Sequence, residues 1–234
     1  MTARPQPPSA TPDVVYAPPP DVGLDVVYLD EAMVVVCKPP GLLSVPGRGE
    51  GRQDCMISRV CQRYADALTV HRLDMATSGL LVLARGTVMQ RVLSTSFQDR
   101  RVDKRYVALL HGVLSCDEGE VNLPLITDWP NRPMQMVCHE RGKPSRTRYQ
   151  VQDRVVIGDG QAGQTRVALE PITGRSHQLR VHMLAMGHPI VGDPLYGDQG
   201  LQASFPRLML HASQLDLPHP ISGELISLRS PSPF

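Results

Sequence analysis

The sequence predicts an α+β fold built on a mixed, largely antiparallel central sheet flanked by helices and loops. Short apolar blocks, several alternating with polar residues, recur from residue 24 onward. Three other segments place their apolar residues at helical spacing. The two kinds do not follow the regular strand–helix–strand rhythm of a parallel sheet.

Residues 1–20 contain seven prolines and little periodicity, so a flexible arm is expected there. Segments 24–29 and 33–37 read as strands on either side of the acidic turn Asp30-Glu31. Lys38-Pro39-Pro40-Gly41 ends the second strand, because proline cannot donate to a central ladder. Segment 54–67 carries Met56, Ile57, Val60, Cys61 and Tyr64 at helical spacing. A polar loop, VHRLDMATSG from residue 70, leads into a buried strand at 80–84. Segment 87–97 sets Val88, Val92, Leu93 and Phe97 on one helical stripe. Strands are expected at 105–110, 147–152 and 166–170. The last helix, 176–186, has Thr173 or Ser176 as N-cap and Gly187 as the terminating glycine. With no internal repeat, residues 21–234 read as one domain.

No apolar run reaches the length of a membrane span, and MTARPQPPSA lacks a signal-peptide core, so a cytoplasmic location is expected. The five cysteines are odd in number and form no C-x-x-C pair. They read as small core-filling thiols of a reducing compartment rather than a disulfide or zinc framework. The net charge of +1 hides an asymmetry: residues 1–31 balance to −4 and the remainder to +5. Between residues 132 and 148, Arg132, Arg141, Lys143, Arg146 and Arg148 stand against Glu140 alone. Such a patch permits a polyanionic partner, although charge runs are also ordinary solvated faces.

Several reaction templates are missing. The sequence has no G-x-S-x-G, no P-loop and no dinucleotide fingerprint. His177 and His182, five residues apart, would point about 140° apart around a helix, so they are poorly placed to share a metal. His71 and Asp74 alone make a poor metal site, and no motif pairs two carboxylates. What remains is one carboxylate, Asp74, among Arg72, Thr77 and Ser78. It reads either as an Asx-type turn with an ion pair or as a nucleophile or base. Arg175 and His177 at a helix start suit an anion, and Arg180 lies one turn further on; a capped helix with a salt bridge is the alternative. Tyr106, after Asp103-Lys104-Arg105, reads as sheet packing on these grounds alone.

Taken together, HRLDMATSGLLVLA around Asp74, KRYVAL around Tyr106 and PITGRSHQLRVHMLAMGHPIVGDPLYG around Arg180 resemble the signature of the RluA family of pseudouridine synthases. KPPGLLSVPG (38–47) resembles the segment preceding that family's catalytic loop, and the likeness runs in order over roughly residues 24–230. DWPNRP (128–133) and RGKPSRTRYQV (141–151) resemble a dual-specificity branch that lacks the S4 RNA-binding module and modifies uridines in 23S ribosomal RNA and a tRNA anticodon stem-loop.

The resemblance implies a pseudouridine synthase fold and an isomerisation in which uracil is detached, rotated and rejoined through carbon, with no cofactor or metal. It implies that Asp74 is the essential carboxylate, nucleophile or base, and that Arg180 is its cation. Tyr106 would stack on the target uracil, and Arg72 would fill the space the extruded base leaves. His71, Lys143, Arg146, Arg175 and His177 are the expected RNA contacts. The expected partner is RNA, bound by a monomer with no obligate protein partner. The alternatives are a synthase acting on one RNA class alone, or a non-catalytic RNA-binding protein; a hydrolase would need a metal or a second carboxylate motif.

Overall fold

The computed structural model describes residues 16–157, 162–197 and 205–234. Asp30 accepts the Ala32 and Met33 amides, each at 2.8 Å, and so closes the expected turn between β1 (Val26–Leu29) and β2 (Met33–Lys38). The helix expected at 54–67 is shorter: α1 runs over Met56–Arg63, after which β3 (Ala67–Thr69) turns away. Strand β4 (Ser78–Arg85) is buried on both faces and leads straight into α2 (Gly86–Gln98). There follow β5 (Asp103–His111), β6 (Glu118–Asn122), the short pair β7 (Leu125–Thr127) and β8 (Gln135–Val137), then β9 (Arg146–Ile157) and β10 (Ala162–Pro171). Helix α3 (Gln178–Ala185), β11 (Leu210–Pro218) and β12 (Leu225–Arg229) complete the described elements.

The main sheet runs β1-β2-β4-β11-β5-β10-β9-β6, with β12 on β11 and β3 on β4. Among the described residues every pairing in it is antiparallel except β11 with β4, so the sheet is mixed and largely antiparallel as expected. Successive residues of β2 and β4 point to opposite faces. Val35, Leu80 and Val82 pack beneath Leu93 of α2. Val34, Val36, Leu81 and Leu83 pack against Met56 and Val60 of α1. A third cluster joins Ala108 and Leu110, Val167 and Leu169, and Leu179 and Met183 of α3. Gly79 has φ +111°, and a Cβ there would lie 2.6 Å from the Ala212 nitrogen. Only glycine lets β4 and β11 close the one parallel seam.

Two expectations change. Neither Thr173 nor Ser176 caps α3. The N-cap is His177, in the left-handed region at φ 53°, and it makes no side-chain cap bond. Gln178, inside the helix, instead ties the preceding turn and β9 to it: its Oε1 accepts from Thr173 and the Arg175 amide, and its Nε2 donates to Arg146 O and Thr147. The arm expected at residues 1–20 lies outside the described residues up to 15. Residues 16–20, however, are pinned. The Tyr16 hydroxyl donates to Asp54 O and accepts from the Leu43 amide, while Arg59 donates to Pro19 O at 2.6 Å. Among the described residues, no helix is long and apolar enough to cross a membrane.

Candidate active site

The loop before β4 is clamped by the segment that follows β2. Ser44 donates to Leu73 O at 2.7 Å and accepts the Leu73 amide at 3.1 Å. The fully buried Lys38 ammonium donates to Pro39 O, Leu42 O and Met75 O at 2.7–3.1 Å. Burial pulls its pKa down to about 7, against the opposing pull of Asp74. Both residues flanking Asp74 are thus fixed through their backbones.

The Asp74 side chain makes no Asx turn. Its carboxylate reaches outward, with Arg180 Nη1 at 3.5 Å and His177 Nε2 at 3.8 Å from Oδ2. Arg180 is itself held from behind. Its Nε and Nη2 each donate to the fully buried Asp193 at 2.7 Å, and its guanidinium lies 5.0 Å from the Tyr196 ring centre. Burial opposes the arginine's charge, but the hydrogen-bonded Asp193 and nearby Asp74 outweigh it and raise its pKa. Asp193 also accepts the Leu195 and Tyr196 amides. His177 Nδ1 pairs with the Tyr196 hydroxyl at 2.7 Å, and that oxygen accepts the Gln135 amide at 2.7 Å. Burial lowers the His177 pKa and so favours the neutral ring, against the opposing pull of the Asp74 charge.

Tyr106 lies on β5 between Ala212 of β11 and Leu169 of β10. Burial first, then the Asp74 charge, raises its pKa, so the phenol keeps its proton. Its hydroxyl has no hydrogen-bond partner among the described residues, and its ring borders a cavity of about 710 Å³.

Arg72, Asp74, Tyr106, Arg175, His177 and Arg180 all line that cavity, as does His71. Lys143 and Arg146 do not; both are exposed outside it. Two of the basic residues between 132 and 148 are engaged with acids: Arg146 and Arg148 share Glu120 at 3.8 and 3.2 Å. His71, expected as an RNA contact, is built into the scaffold. Its Nε2 accepts the Val82 amide at 2.9 Å, its ring stacks on Phe97, and burial lowers its pKa to about 3. Sequence reasoning gave no role to Asp193, Tyr196 or Lys38. The first two lie in GDPLYG, where an aspartate and a tyrosine between turn residues were the available signal.

The geometry is that of a carboxylate, a guanidinium and a phenol around a polar cavity large enough for a nucleoside. Comparison with known proteins agrees. The dual-specificity RNA pseudouridine synthase RluA of Pasteurella multocida is 50% identical over 94% of this chain and 99% of its own length. The protein of the same name from Escherichia coli K12 is 49% identical over 94% and 98%. Among solved structures, human RNA pseudouridylate synthase domain containing 1 matches with a TM-score of 0.77 at 29% identity, covering 93% of this chain and 87% of that one. Human RNA pseudouridylate synthase domain containing 4 gives 0.70 at 27%, covering 89% and 88%. The model of the RNA pseudouridylate synthase family matches residues 32–185, from the start of β2 to the end of α3. This chain therefore belongs to the RNA pseudouridylate synthase family.

Proposed function

We propose that this chain isomerises uridine to pseudouridine in stem-loops of both 23S ribosomal RNA and a tRNA anticodon arm. The observation that carries the reading is the convergence of Asp74, Arg180 and Tyr106 on one cavity. The bond between the sugar C1′ and uracil N1 breaks, and a bond from C1′ to C5 forms. C5 loses a proton and N1 gains one, so the reaction balances with no oxidant, metal or carrier.

Asp74 starts the reaction, by attack on the sugar or by removing a ribose proton; both routes need a carboxylate beside the sugar. Arg180, fixed by Asp193, compensates the carboxylate charge. Tyr106 stacks on the uracil and keeps a proton at hand. The target atoms cannot be reached inside a helix, so the nucleotide is extruded, at a cost of a few kcal/mol. Arg72, exposed at the cavity edge, fills the vacated space. Arg175 binds phosphate at that edge, and Lys143 and Arg146 do so on the outer face. His177, 3.8 Å from the Asp74 carboxylate, contacts the RNA beside it. Residues 21–234 work as one catalytic domain, as a monomer in the cytoplasm, where both RNAs reside.

Dual specificity rests on 49–50% identity to relatives that bear that description. The test is to map pseudouridine in ribosomal RNA and tRNA from cells lacking the gene. Loss of a site in each class, restored by the wild-type chain and not by Asp74→Ala, is expected. Loss in one class alone would refute dual specificity, and loss in neither would refute the reading.

A further inference from the structure

The chain has a single tryptophan, Trp129, and it is 64% exposed. Exposing so large an aromatic forgoes most of what its burial would contribute. Fraying does not explain it, because the turn joining β7 to β8 is ordered. The Asp128 amide donates to Met134 O at 3.0 Å, the Asn131 amide to Asp128 O at 3.1 Å, and the Asn131 side chain to Asp128 Oδ2 at 2.9 Å. Within this turn the Arg132 guanidinium lies 4.4 Å from the indole centre, covering one face. Arg132 makes no salt bridge among the described residues, so its charge remains available. Next to the hairpin, the exposed Lys143 is joined to Leu125 by two backbone hydrogen bonds of 2.8 and 3.0 Å.

The hairpin is also held in fixed relation to the cavity. Leu125 packs with Val181 and Tyr196, and the Gln135 amide donates to the Tyr196 hydroxyl that pairs with His177. From Gln135 to Trp129 is six residues, a reach of at most about 22 Å. An indole backed by a cation, beside basic side chains and within one stem-loop of a cavity, has the chemistry of a nucleic-acid stacking platform.

We propose that Trp129 stacks on an unpaired base of the RNA substrate, other than the uridine that enters the cavity, with Arg132 bracing the opposite face of the indole. This rests on the RNA-modifying function proposed above. The platform helps to select the stem-loop by requiring a splayed base at a fixed distance from the target.

Because the chain has one tryptophan, its fluorescence reports on this site directly. A synthetic stem-loop copied from the tRNA anticodon arm is titrated into the full chain, and should quench the indole emission. Trp129→Ala should weaken binding, followed by RNA anisotropy, by about 5- to 150-fold, the range of a lost base–aromatic stack. KM should rise in step while kcat moves far less, and Trp129→Phe should recover part of the affinity. Removing single bases from the loop should identify one position that costs the wild type affinity and costs Trp129→Ala nothing. Unquenched emission with unchanged affinity in Trp129→Ala would overturn the proposal, as would an equal loss for every abasic loop. Quenching by an RNA that the chain fails to isomerise would refute the proposed reaction and leave the platform standing.

Discussion

Asp193 grips Arg180 through two hydrogen bonds of 2.7 Å, while Arg180 meets Asp74 only at 3.5 Å. The arginine expected to pair with the loop carboxylate is therefore anchored elsewhere and presents one remaining nitrogen to it. A guanidinium held in advance from behind needs no reorganisation when charge moves at Asp74.

Asp193→Ala should be severely damaging. It leaves Arg180 buried without its main counter-charge, a change that costs about 3–5 kcal/mol. Urea unfolding should show that loss. Single-turnover rates of the surviving folded protein should fall about a hundredfold as the guanidinium drifts from its position.

Gly79→Ala should weaken the fold. The substitution forces an L residue to φ +111° and drives its Cβ into the Ala212 backbone, so the β4–β11 seam must open. A stability loss of at least about 2 kcal/mol is expected in thermal or urea melts.

Acid should destabilise the fold before carboxylates titrate. His71 has a folded pKa of about 3 against 6.5 in the unfolded chain, so the unfolded chain takes up the proton first. The stability this group contributes is whole above pH 6.5 and is lost as the pH falls toward 3. His177, His182 and His211 are shifted in the same direction, mainly by burial. Urea midpoints between pH 6.5 and 5 should decline, and His71→Gln should flatten the slope by up to about 1.4 kcal/mol per pH unit.

Strands β2 and β4 were readable because nearly every residue in them is apolar and buried. Strand β11, central to the sheet, was not. His211 interrupts its apolar pattern, yet His211 is buried through bonds to Ser78 and Ser230 that only the folded chain supplies. The N-terminus of α3 differs for a related reason: six of its eight residues are buried, no side chain caps it, and Gln178 inside the helix ties the preceding turn and β9 to it. Asp74, Tyr106 and Arg180 were legible as ordered motifs. Asp193 was not, since its meaning depends on an arginine that a helix brings back from 13 residues earlier.

Tyr106→Phe separates stacking from proton transfer. The ring remains, so the affinity for a stem-loop should stay within about threefold, because stacking needs only the π face. Release of the uracil C5 proton should slow by about 10²- to 10⁴-fold if the phenol acts as a general acid or base. Rapid-quench measurement of tritium release would show it.

The most direct test of the central claim replaces the carboxylate alone. RNA labelled with tritium at uracil C5 is mixed with the wild type or with Asp74→Asn, and binding of the same stem-loop is measured in parallel. Release by the wild type, no release above background by Asp74→Asn, and affinities within a few-fold of each other are predicted. Tritium release at the wild-type rate by a folded Asp74→Asn protein would contradict the assignment of Asp74 as the reacting group.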